Sequence, residues 1–489
     1  MEKINIYRKK LSRSQDIELR QDLIVQDLKQ DIVSILDYNN FCYLSKVEIE
    51  NGRISVNGNV DSYISYISSG DETSGLNTSI VFQEKLENSI INNKMNVEYE
   101  IIIVKQDIKI INERKINISI DLKINYDFLG AESIDIYDKY NEIDDIQLKS
   151  SKVKLNSLIG VNSNLANLKE EINVKSGDII SDILKVDTNI FNKEVKISYN
   201  KILTKADFYI KIIYLTSDGR IGKAEEKFPI MSFIDLENIK EENICSTNYQ
   251  IRNIALQINN GNENSISLQM EYSILCKAFE IKEQEIVSDL YSLKYDTEFQ
   301  SREYEIMNEL DQKDNSKIEI NENIELENVK EIIDVFGKTK IIKNNIVNNI
   351  SNIEGELELK IYYETENKIG LNVRIVTIPF IHKIENLNDI KANCENLEFD
   401  LTSNKATINV NIVFNTNNIE NKKIKVVQDI TKKDLIKDDY SMVVYNVKKN
   451  DTLWNISKKF RVKQENVINS NGLEEPYNLD YGKKIYIIK

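Results

Sequence analysis

The stretch Ile116-Asn117-Ile118-Ser119-Ile120-Asp121-Leu122-Lys123-Ile124 alternates apolar and polar residues without a break. Successive side chains of an extended chain point to opposite faces, so this pattern predicts a strand with one buried and one wet face. Two other stretches read the same way. Ile266, Leu268, Met270 and Tyr272 alternate with Ser267, Gln269 and Glu271, and Ile408, Val410, Ile412 and Phe414 enclose Asn409 and Asn411. Each follows a turn signal: Asn112-Glu113-Arg114, Asn259-Asn260-Gly261 and Ser403-Asn404-Lys405. Polar turns between alternating runs predict antiparallel hairpins.

Earlier segments repeat as well. Gly58-Asn59-Val60-Asp61-Ser62-Tyr63-Ile64-Ser65-Tyr66 has counterparts at Ala206 to Tyr214 and at Gly355 to Tyr363. Their last tyrosines stand 148 and 149 residues apart. A polar turn follows each, Ser69-Gly70-Asp71, Ser217-Asp218-Gly219 and Glu366-Asn367-Lys368, and leads to a strand holding Phe82, Phe228 or Ile378. A leading element recurs at Asp31 to Leu36, Asp178 to Leu184 and Glu331 to Phe336. Pro229 and Pro379 share one repeat position, and a residue without an amide donor predicts an edge strand there. Asp16 to Leu36 reads as a charged, helix-like stretch broken near Val25.

The fold class expected is therefore mainly β, with three related antiparallel, sandwich-like domains in tandem. The boundaries read as 1–128 (first repeat with its N-terminal segment), 129–169 (connector), 170–280 (second repeat), 281–317 (connector, partly helical or extended), 318–418 (third repeat), 419–440 (linker) and 441–489 (C-terminal domain). Units of this size can hold their own cores, so both separate beads and side-by-side packing fit the pattern.

The chain has 489 residues, enough for three or four domains, and its 41% hydrophobic content can fill cores. No run of eighteen apolar residues occurs, so no membrane span is expected. The polar start Met1 to Arg8 is no secretory signal, and Cys42, Cys245, Cys276 and Cys394 lie far apart, as in a reduced cytosolic protein. The net charge of −15 is uneven: residues 442–489 hold nine Lys/Arg and five Asp/Glu, about +4, leaving about −19 elsewhere. An acidic body argues against nucleic acid, and a basic tip suits an acidic partner or a merely solvated surface.

Catalytic chemistry is hard to assemble. The single histidine, His382, is read as a strand residue, and one histidine cannot make a multi-histidine zinc site or supply most hydrolase triads. The cysteines lack metal spacing, and no phosphate-binding glycine loop ends in Lys-Ser/Thr. Acidic pairs such as Asp144-Asp145 and Asp438-Asp439 sit in charged connectors, where a solvated face is the default. No catalytic residue, metal ligand or cofactor is expected, and the chain reads as no enzyme.

Ser441 to Lys489 differs from the rest. A short apolar strand reaches Val447, a helix capped by Asp451 or Thr452 carries Leu453, Ile456 and Phe460, and a second helix holds Val467 and Ile468 before Gly472. Lys484 to Ile488 closes a βααβ order. With Tyr445, Val447, Lys448, Asp451-Thr452-Leu453-Trp454, Ile456, Asn471, Leu473, Pro476, Leu479 and Gly482 in place, this stretch resembles the LysM family throughout. It departs at Asn450 (usually Gly), Lys483 (usually Gln) and Ile488 (often Pro). The resemblance implies a groove for N-acetylglucosamine polymers. Asn450, Asp451, Thr452 and Leu453 would form one side, and Asn471, Gly472, Leu473, Glu474, Glu475, Pro476 and Tyr477 the other. Trp454, the sole tryptophan, reads either as packing over the helix start or as an exposed anchor for a partner.

The repeats resemble the SPOCS domain family. Val25-Gln26-Asp27-Leu28-Lys29-Gln30-Asp31-Ile32 with Val47 to Tyr66 carries the likeness best, in the first unit, together with Ser288-Asp289-Leu290-Tyr291-Ser292-Leu293-Lys294-Tyr295-Asp296. Three such units before a LysM look like the SipL-like family of spore-coat morphogenetic proteins. That likeness implies an adaptor on the forespore surface inside the mother cell. Its implied partner is the coat basement-layer ATPase, stage IV sporulation protein A, with peptidoglycan as the alternative ligand.

Overall fold

The computed structural model describes residues 2–136, 143, 145–261, 264–309, 315–348, 350–366, 368–385, 390–416, 419–434, 441–477 and 479–488. Six strands build the first unit: β1 (Glu2–Ile24), β2 (Ile32–Glu50), β3 (Arg53–Ser68), β4 (Thr73–Glu87), β5 (Asn96–Asn112) and β6 (Lys115–Ile136). The second has β7 (Ile146–Asn173), β8 (Ile180–Ser198), β9 (Lys201–Thr216), β10 (Ile221–Asp235), β11 (Ile244–Asn259) and β12 (Ser265–Ser292). The third has β13 (Tyr295–Glu309), β14 (Asn315–Glu325), β15 (Val329–Val347), β16 (Ile350–Thr365), β17 (Lys368–Ile384), β18 (Ile390–Thr402), β19 (Lys405–Thr416) and β20 (Ile419–Asp434). The C-terminal module follows with β21 (Met442–Asn446), α1 (Leu453–Phe460), α2 (Gln464–Asn471) and β22 (Lys484–Ile488).

Each unit is a sandwich of two antiparallel three-stranded sheets. The first unit has orders β1-β6-β5 and β2-β3-β4, the second β7-β12-β11 and β8-β9-β10, the third β14-β19-β18 and β15-β16-β17. The alternating stretches are the central strands. In β6, Ile116, Ile118, Ile120, Leu122 and Ile124 meet Ile54, Val56, Val60 and Ile64 of β3 across the first core. Pro229 and Pro379 lie on β10 and β17, each the outer strand of its sheet, as expected. Gly58 sits opposite Phe82, Ala206 opposite Ile230 and Gly355 opposite Phe380. The true counterparts of Phe82 are thus Ile230 and Phe380, two positions beyond Phe228 and Ile378.

Three expectations change. Asp16 to Leu36 is no helix: β1 runs unbroken to Ile24 and β2 begins at Ile32. Ile17 and Leu19 are buried at a spacing of two, and β6 supplies a ladder along all of β1. Tertiary pairing outweighs the helix propensity of the Glu, Arg, Gln and Leu residues there. Nor are 129–169 and 281–317 connectors, because β6, β7, β12 and β13 run through them as strands. Of the 419–440 linker, residues 419–434 are β20, paired with β13; 435–440, including Asp438-Asp439, lie outside the described residues, as do Asp144 and Asn367.

These extensions hold the units together. Beyond the sandwiches, β1 with β6, β7 with β12, and β13 with β20 continue as two-stranded ribbons. The first two ribbons leave their sandwiches at irregularities beside Leu11 and Phe279. All three share one core: Ile4, Ile6 and Ile134, then Val153, Leu155 and Ile286, then Tyr304, Ile306, Ile424 and Val426. The units therefore pack side by side. A second shared core joins Leu184, Ile213 and Leu215 of unit two to Phe336, Tyr362 and Leu371 of unit three, with Leu36 of unit one against it.

A polar network crosses the same region. Bulges in β2, β8 and β15 bring Asp37, Lys185 and Asp334 to equivalent register positions. Asp37 pairs with Lys360 at 2.7 Å and accepts from the Tyr362 hydroxyl, to which Lys185 Nζ donates at 3.0 Å. Lys211 pairs with Asp334 at 2.9 Å. Burial lowers the Lys185 amine to about 8 and raises the Tyr362 phenol and the Asp187 carboxyl. Burial thus disfavours the charged form of each, as it must where water is excluded.

His382 lies in β17, where its ring stacks on Phe414 at 4.5 Å and its Nε2 shares a hydrogen bond with Ser316 Oγ at 3.1 Å. The four cysteines are unbridged. Among the described residues no helix is long and apolar enough to cross a membrane.

Candidate functional site

The module from β21 to β22 closes on a small core of Val447, Leu453, Ile456, Val462, Val467, Leu473, Ile485 and Ile487. Its loops are fixed by the residues expected to line the groove. Asn450 adopts φ 69°, the left-handed region that asparagine tolerates better than other side chains. Asp451 accepts from the Tyr445 hydroxyl at 2.8 Å and from the Lys448 amide at 2.7 Å. Thr452 caps α1 by accepting from the Asn455 amide at 3.2 Å, which satisfies a free helix donor. Asn471 bonds both the amide and the carbonyl of Tyr486, and Gly472 ends α2 at φ 57°. Leu453, Leu473 and Tyr477 belong to the core or pack against it, so both loops border the same interior. The side chains left outward on the two strips are Asn450 and Thr452 on one and Glu474, Glu475 and Pro476 on the other, with Gly472 exposed as backbone.

Trp454 is not on those strips. It stands outside the module's core and is 6% exposed because the body covers it. Its ring meets Tyr291 edge-on at 5.0 Å, and its Nε1 donates to Asp289 Oδ2 at 2.7 Å. Lys458 pairs with the same carboxylate and lies 4.9 Å from the Phe299 ring, while Arg461 pairs with Asp296 at 2.9 Å. The Tyr291 hydroxyl donates to the Val462 carbonyl at 2.8 Å. The indole has its anchoring role, but on this chain's own body.

The seat has a local cause. Between Val287 and Asp289 the pairing of β12 with β7 slips by one residue, and such a bulge re-aims the side chain that follows. Leu290, fully buried, clamps the corner from beneath, and Ser288 donates to the Lys149 carbonyl at 3.1 Å. Burial pushes the Asp289 carboxyl up, but hydrogen bonds from Lys458 and Trp454 outweigh it and hold the pKa below the ordinary carboxylate range. The basic tip thus meets an acidic corner of its own chain. Asp289, Tyr291, Asp296 and Phe299 were missing from the site expected from sequence, although all but Phe299 fall in the Ser288 to Asp296 motif. That motif was read as a mark of kinship rather than as a contact surface.

Residues 179–259 match the model of the SipL, SPOCS domain, and residues 445–487 match that of the LysM domain. The first match falls on the second unit, β8 through β11, rather than on the first, where the likeness was read most strongly. Neither the curated proteins nor the solved structures gave a match. A SPOCS domain of the SipL type in the second unit and a C-terminal LysM domain make this a sporulation protein carrying a module of the peptidoglycan-binding type.

Proposed function

We propose that the chain is a non-enzymatic adaptor of spore-coat assembly, working in the mother-cell cytoplasm at the forespore surface. Through its LysM domain it holds a coat basement-layer ATPase of the stage IV sporulation protein A type, while the three-unit body sets position. The supporting observation is the seat: Trp454, Lys458 and Arg461 fasten the module to Asp289, Tyr291 and Asp296, so it is held in one orientation. A fixed orientation serves a scaffold, because less freedom is lost on binding. Affinity purification from sporulating cells tests this with the full chain and with a chain lacking 441–489. Recovery of the ATPase with the full chain alone is expected, and equal recovery with both rules out the LysM route.

The outward side chains on the two loop strips favour a second reading, binding of N-acetylglucosamine polymer in cortex or wall. Saturable retention of the full chain on purified peptidoglycan, weakened by Glu474→Trp on the exposed strip, would support it. Release of soluble fragments from that peptidoglycan would instead reveal a hydrolase and sink the non-enzymatic reading.

A further inference from the structure

We infer that the outer face of the paired strands β21 and β22 is a docking surface for an acidic protein segment bearing apolar side chains. The inference rests on the adaptor reading and names the face and the partner chemistry that reading leaves open. With the α1 side of the module against the body, a protein partner must use another face.

The register of the two strands sets that face. Met442 lies opposite Ile488, Val444 opposite Tyr486, and Asn446 opposite Lys484. Alternation turns these six outward, while Ile485 and Ile487 point into the core. Met442, Val444, Tyr486 and Ile488 are 55%, 50%, 48% and 44% exposed. Single exposed apolar residues need no explanation, but four in two directly opposed pairs form a patch. The outer edge of β22 is already taken, because Asn471 bonds the amide and carbonyl of Tyr486.

Charge identifies the occupant. Lys484 lies on this face, and Lys448, Lys449 and Lys483 are exposed at the same end, where the Val447 amide donates to the Lys483 carbonyl at 2.9 Å. Among the described residues the ion pairs of the module to the body are made by Lys458 and Arg461, and these four lysines make none. An apolar stripe ending in four unpaired ammonium groups complements apolar side chains followed by carboxylates. The acidic remainder of the chain repels such a segment and leaves it this end. A membrane surface is the weaker fit, since interfacial anchors are typically amphipathic helices with a long apolar face, whereas this patch is two five-residue strands.

The test measures binding of the full chain to the purified coat basement-layer ATPase. Val444→Glu/Tyr486→Glu and, separately, Lys483→Glu/Lys484→Glu should each weaken it about tenfold or more, as loss of an interface hot spot does. Trp454 fluorescence and circular dichroism check that each variant stays folded and seated. If the apolar double variant fails that check, the lysine variant decides alone. Binding within twofold of wild type for the folded variants overturns the inference and leaves the adaptor reading standing, whereas no binding by the wild-type chain overturns both. Binding to phosphatidylglycerol vesicles that the same variants abolish, with ATPase binding unchanged, assigns the face to membrane and overturns it. So does self-association in sedimentation that the variants remove.

Discussion

At Asp289 a single carboxylate receives both the Trp454 indole and the Lys458 ammonium. Asp289→Ala leaves both donors unmatched at a largely covered site, and a hydrogen bond to a charged group is worth about 1.5–3 kcal/mol. We expect the module to lift from its seat. Trp454 is the only tryptophan, so its emission should shift to the red on exposure. An unchanged spectrum would show that Tyr291 and the Arg461–Asp296 pair suffice. The same carboxyl sets a pH dependence. Its pKa is depressed in the folded chain, so its contribution is present above the unfolded value and is lost as pH falls through the folded one. Seating, followed by the same emission, should be flat above about pH 5 and weaken below about pH 4. Asp37 is the counterpart inside the body. Asp37→Ala strands Lys360 and takes the acceptor from the Tyr362 hydroxyl in a buried network, which should cost about 3–5 kcal/mol in urea unfolding. At this scale sequence was half legible. Trp454 could be singled out as anchor or packing, but its partner stands 165 residues away and nothing local announces it.

Among the elements, the central strands illustrate a compensation. In the first unit Gly58 lies under the Phe82 ring, which occupies the space of a Cβ, and in the second Ala206 faces the smaller Ile230. Gly58→Ala should destabilise by about 1–3 kcal/mol through overpacking. Adding Phe82→Ile should recover much of that, because the pair then copies unit two. Strictly additive losses in urea melts of the four chains would refute the compensation, since coupled neighbours depart from additivity by about 0.5–3 kcal/mol. The alternation of Ile116 to Ile124 was readable because one face is wet. Asp16 to Leu23 was misread because its Glu, Arg, Gln and Leu residues favour a helix, and only the β6 ladder overrides them. The runs Ile64-Ser65-Tyr66 and Ile212-Ile213-Tyr214 break alternation, since all six residues are buried. In Ile212-Ile213-Tyr214 the apolar run signals a strand packed on both faces, whereas in Ile64-Ser65-Tyr66 the serine hides it.

Over the whole molecule, the shared cores make the three units interdependent. Polar residues at the joins hid this: Asp37, Lys185 and Asp334 are charged side chains, yet they are buried where units meet. Calorimetry of residues 1–440 should therefore give one transition, with calorimetric and van't Hoff enthalpies in agreement. Three resolved transitions would mean that the ribbons add little.

The seat also bears on the order of synthesis. A ribosome produces Asp289 and Tyr291 well before Trp454, so the nascent chain carries an uncovered aromatic corner until residue 454 emerges. Translation that stalls short of residue 454 leaves that corner bare, a mark by which proteases could recognise unfinished copies.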